Sequence, residues 1–75
     1  MKLKWEMKEF SVGRYVYIVD DVDARRPVCY VWTTTPRAKE FVEMLCRKPE
    51  MLADVQAKLS PGKEVRAEAI RALMG

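Results

Sequence analysis

The chain has 75 residues, of which 49% are apolar and 33% charged, with a net charge of +3. Such a length supports one domain (residues 1–75) around one core, and the composition excludes a disordered chain. No apolar run approaches the roughly 20 residues of a membrane span, and "MKLKWEMKEF" lacks the apolar stretch of a signal peptide, so a cytoplasmic location is the default expectation.

Residues 2–8 read as a strand, because Leu3, Trp5 and Met7 alternate with Lys2, Lys4, Glu6 and Lys8. Phe10 and Val12 are apolar in the opposite phase, and a bulge or bend near Glu9 would reconcile the two phases. Gly13 marks a turn. A second strand is predicted from Arg14 to Val19 or Asp20, and a third from Pro27 or Val28 to Thr33. The polar "DDVDARRP" between them suits a hairpin loop longer than two residues.

The register of that hairpin decides the two faces of the sheet. Pairing Tyr17 with Tyr30, Tyr15 with Trp32 and Val19 with Val28 gathers the aromatics on one face. Val16, Ile18, Cys29 and Val31 then form the other, aliphatic face. In this reading Val16 and Ile18 face the helices, while Tyr15 and Tyr17 face outward.

"TTTP" closes the sheet region. Thr35 is the expected N-cap and Pro36 the first residue of a helix. Ala38, Phe41, Val42, Leu45 and Cys46 then form one apolar stripe, ended by Pro49. Leu52, Val55 and Leu59 mark a second helix. "SPG" repeats the device: Ser60 caps and Pro61 opens a third helix, with Val65, Ala69, Ile70, Ala72 and Leu73 on its apolar arc. The expected fold is α+β, a three-stranded antiparallel sheet followed by two to three short helices packed on one face.

Most catalytic chemistry lacks its residues. The chain has no histidine and no asparagine, one glutamine and two serines. A Ser–His or Cys–His nucleophile pair cannot form, and three glycines cannot build a phosphate-cradling loop. The carboxylates of "DDVD", Asp20, Asp21 and Asp23, are the best metal candidate. Arg25 and Arg26 follow them directly, so a solvated loop with local ion pairs is the preferred reading. Cys29 and Cys46 lack metal-like spacing and read as two reduced, buried thiols. The expectation is a non-enzymatic protein without cofactor or metal.

Binding is the role that remains. Tyr15, Tyr17, Tyr30 and Trp32 are expected to contact a protein or nucleoprotein partner, with Arg25 and Arg26 as a charged rim, because Tyr and Trp dominate interface hot spots. Such a protein would act sterically, as an inhibitor or adaptor of a larger complex. Anti-CRISPR proteins of phages and mobile elements work in this style, a likeness of size and manner and not of residues. The alternative is nucleic-acid binding, with aromatics stacking bases and Lys2, Lys4, Lys8, Arg14, Arg25 and Arg26 holding phosphates. "SVGRYVYIV" does not match the glycine and aromatic consensus of RNA-recognition sheets. Both monomer and homodimer are compatible with these readings.

Overall fold

The computed structural model describes residues 1–59 and 62–75. Strands β1 (Leu3–Ser11), β2 (Arg14–Asp21) and β3 (Arg26–Trp32) form an antiparallel sheet in the order β1-β2-β3. Helices α1 (Ala38–Arg47), α2 (Leu52–Gln56) and α3 (Ala67–Met74) follow, with a 3₁₀ turn over Pro49–Met51 leading into α2. The fold is α+β, as the sequence implies.

The β1–β2 ladder pairs Trp5 with Val19, Glu6 with Ile18, Met7 with Tyr17 and Lys8 with Val16. Its bulge falls at Phe10, between the pairs Glu9–Tyr15 and Ser11–Arg14. The bulge is where the sequence places it, but it does not return Phe10 and Val12 to the core. Both are exposed, and Phe10 lies against Trp32. Gly13 makes the turn at φ 75°, a conformation that favours glycine.

The β2–β3 register differs from the expected one. Next to the loop, Asp20 pairs with Pro27 and Asp21 with Arg26, as expected. A bulge then leaves Val28 without a partner, and the rest of the ladder slips by one residue: Val19 with Cys29, Ile18 with Tyr30, Tyr17 with Val31, Val16 with Trp32. Because the side-chain period is two, this slip reverses the faces of β3 relative to β2. Val16 and Ile18 therefore share a face with Tyr30 and Trp32, and Tyr15, Tyr17 and Val19 share one with Cys29 and Val31. The helices cover the second face. Val19, Cys29 and Val31 are buried there, with Leu3 from β1.

The helix layer supplies Ala38, Phe41, Val42 and Leu45 from α1, Leu52 and Val55 from α2, and Ala69 and Ile70 from α3, all buried. This matches the stripe read from the spacing except at Cys46, which is half-buried and not buried, and at Ala72, which is exposed because it turns away from the core. The start of α1 differs from expectation. Thr35 makes a turn, its N–H donating to the Trp32 carbonyl at 2.9 Å, and the helix begins at Ala38 without a side-chain cap. Arg37 precedes it in the left-handed region at φ 62°. Its guanidinium grips the Glu40 carboxylate (2.9 and 3.2 Å) and reaches the Gly75 carbonyl at 3.3 Å. Hydrogen bonding to Arg37 holds the Glu40 carboxyl below its ordinary range.

The expected Ser60 cap and Pro61 start lie outside the described residues. The third helix begins later, at Ala67. Before it, Lys63–Val65 runs parallel to β3: the Tyr30 N–H donates to the Lys63 carbonyl (3.0 Å), and the Val65 N–H to the Tyr30 carbonyl (2.8 Å). Val65 is thus buried as part of a short strand-like segment and not of a helical arc. The Lys63 ammonium also reaches the Pro27 carbonyl at 3.2 Å.

Candidate partner-binding face

Antiparallel sheets commonly cover one face and leave the other to solvent. Here the uncovered face has three rows. Lys8, Val16 and Trp32 form one; Glu6, Ile18 and Tyr30 the next; Lys4 and Asp20 a third. Phe10 stands at the Trp32 end. Phe10 and Trp32 meet edge to face at 5.3 Å between ring centroids, and Tyr30 and Trp32 do so at 6.1 Å. The Arg14 guanidinium lies 4.4 Å from the centroid of the Trp32 ring.

These residues enclose an apolar groove of about 200 Å³, lined by Phe10, Val16, Ile18, Tyr30 and Trp32. Val16 forms its floor and is only 5% exposed although no helix covers it. The surrounding rings shield it. Phe10, at 68% exposure, is the most open wall. The groove therefore combines a preformed apolar floor with ring walls, and charged residues flank it. Lys8 and Glu6 pair at 3.6 Å on the adjoining strand.

The six residues expected to contact a partner fall in three places. Tyr30 and Trp32 line the groove. Tyr15 and Tyr17 belong to the opposite face, a correction that follows from the bulge at Val28. Tyr17 packs edge to face on Trp5 at 5.5 Å and abuts the core. Tyr15 is 41% exposed at the start of β2, and its carbonyl accepts bonds from the Thr33 N–H and hydroxyl, both 3.2 Å. Arg25 and Arg26 lie at the hairpin, where with Lys4, Asp20, Asp21, Val22 and Pro27 they border a charged depression of about 410 Å³. Phe10, Val16 and Ile18 complete the groove beyond the residues the sequence singles out as contacts. The one sequence signal for Phe10 was its break of phase with Leu3, Trp5 and Met7.

The "DDVD" carboxylates shape the loop. One Asp21 carboxylate oxygen accepts the N–H groups of Asp23 (3.0 Å) and Ala24 (3.1 Å), a turn typical of aspartate. Among the described residues no cluster of His, Cys, Asp or Glu is arranged to hold a metal ion, and no helix is long and apolar enough to cross a membrane. Both cysteines carry free thiols. Burial, and secondarily the nearby Cys46, pushes the Cys29 thiol up to about 12, and burial also raises Cys46.

No family model, curated protein or solved structure matches this chain.

Proposed function

We propose that the protein is a small non-enzymatic binding module whose uncovered sheet face docks on a protein or nucleoprotein partner. It would act sterically, as an inhibitor or adaptor of a larger complex, in the style of anti-defence proteins. The carrying observation is the groove of Phe10, Val16, Ile18, Tyr30 and Trp32. An apolar groove with exposed Phe10 and half-buried Ile18, Tyr30 and Trp32 suits an interaction site, and aromatic anchors beside desolvated pockets carry most binding energy. The flanking charges alternate in sign, with Lys4 opposite Asp20 and Lys8 beside Glu6. This favours a protein surface over a phosphate backbone, which calls for a basic field.

The test is capture of partners from a lysate by the wild-type chain and by Trp32→Ser and Phe10→Ser variants, before and after nuclease treatment. The reading expects a defined protein set that survives nuclease and is lost with both variants. Retention by the variants removes the groove as the site. Loss on nuclease treatment, with affinity falling steeply as salt rises, moves the assignment to nucleic acid.

A further inference from the structure

β1 is an edge strand, and its outer side has no partner within the sheet. The Val22 N–H donates to the Lys2 carbonyl at 3.0 Å. Backbone groups alternate sides along an antiparallel strand. Lys2, Lys4, Glu6 and Lys8 therefore direct their N–H and C=O groups to β2, whereas Leu3, Trp5, Met7 and Glu9 present theirs to the open edge. Among the described residues, the large apolar side chains left exposed are Met1, Met7, Phe10, Val12 and Tyr15. All lie on β1, beside it, or at the start of β2. Met7 is 55% exposed on the helix-bearing face, so the helix layer does not overhang the middle of this edge.

We propose that β1 pairs with β1 of a second copy, antiparallel about a two-fold axis at Met7, joining the two sheets into one. Met7 is the midpoint of Leu3–Ser11, and this register pairs the regular stretch from Trp5 to Glu9, short of the bulge at Phe10. It places Lys8 opposite Glu6 of the second copy, and Glu6 opposite Lys8, on the same face. Met7 meets Met7, and its outward N–H and C=O groups form the central hydrogen-bonded pair. Neighbouring registers with the same backbone alternation are worse. One centred on Glu6 sets Lys4 against Lys8 and Glu6 against itself; one centred on Trp5 sets Lys4 against Glu6 but offsets this with Lys2 against Lys8. Like charges directly opposed destabilise a ladder and opposite charges stabilise it. The Met7-centred register is thus the one of the three with an opposite-charge pair and no opposed like charges. The two apolar grooves would then lie on one face of the joined sheet.

The experiment is sedimentation equilibrium of the purified chain with Glu6→Lys and Lys8→Glu variants, so its outcome does not depend on any external partner. The wild type is expected to show a species of twice 8.7 kDa. Each single variant sets like charges against each other at two symmetric positions and should dimerise at least about tenfold more weakly. Mixed together, the two variants regain opposite charges at both positions and should form a heterodimer as readily as wild type. Met7→Pro removes an N–H that β2 does not use and should give a folded monomer by circular dichroism. A wild type that stays monomeric overturns the proposal and leaves the edge to a strand of another protein. A dimer indifferent to charge reversal and to Met7→Pro overturns it equally, because another surface then joins the copies.

Discussion

Arg14 lies over Trp32 across the ladder, diagonal to the Val16–Trp32 pair, with its guanidinium carbon 4.4 Å from the ring centroid. An exposed cation–π contact of this kind contributes about 0.5–1 kcal/mol. Arg14→Gln should lower stability to urea by about that amount. In a Trp5→Phe background, which leaves Trp32 as the one tryptophan, the same change should shift tryptophan-selective fluorescence to the red as water reaches the ring. An unchanged spectrum together with unchanged stability would show that the stack does not form in solution.

Tyr17 and Tyr30 lie on opposite faces, and their substitution should separate folding from binding. Tyr17 packs on Trp5 and the core, so Tyr17→Ala should cost about 2–3 kcal/mol. Tyr30→Ala should cost only about 1 kcal/mol, since it loses chiefly an edge-to-face contact, and should instead weaken partner capture. Chemical denaturation of both variants checks the assignment. A larger loss for Tyr30→Ala would reverse it.

The strands and the α1 stripe were legible because alternation in β1 and the spacing of Ala38, Phe41, Val42 and Leu45 express burial directly. The faces of the hairpin were not legible. The expected pairing holds beside the loop, at Asp20–Pro27, and fails one residue later because Val28 bulges. No glycine marks that bulge, and valine is an ordinary strand residue, so nothing local announced the slip. The groove is half legible for the same reason: the sequence points to Tyr30 and Trp32, whereas the expected register turns their neighbours Val16 and Ile18 toward the core. The start of α1 was misread because "TTTP" carries good capping chemistry. The chain uses those residues for a turn and enters the helix through a left-handed Arg37.

Cys29 gives the protein a pH dependence on the alkaline side. Its thiol is pushed up to about 12 in the folded chain, from 9.0 when unperturbed. Above pH 9 the unfolded chain releases this proton while the folded chain keeps it. Stability from this group should therefore fall by about 1.4 kcal/mol per pH unit until the folded thiol titrates near 12. Urea midpoints from pH 8 to 11 should decline less steeply for Cys29→Ala than for wild type. Parallel declines would show that Cys29 is not responsible.

Arg25 holds a left-handed backbone at φ 56°. A non-glycine residue there pays about 1–2 kcal/mol, against about 0.5–1 kcal/mol of extra chain entropy for glycine. Arg25→Gly should thus raise the thermal midpoint slightly, by a degree or a few. If partner capture nonetheless weakens, the guanidinium belongs to the contact surface. A lowered midpoint would mean that its side chain supports the hairpin.

The segment Lys63–Val65 has a consequence for how far such sheets can extend. It occupies the backbone of Tyr30, while Thr35 takes the Trp32 carbonyl and Lys63 the Pro27 carbonyl. The chain thereby stoppers one side of its own sheet at successive points. Among the described residues the open side is that of β1, and joining two molecules along it, as proposed, would use that side of both. The pair proposed above would then present only these stoppered sides at its two ends, a brake on strand-by-strand growth into fibres.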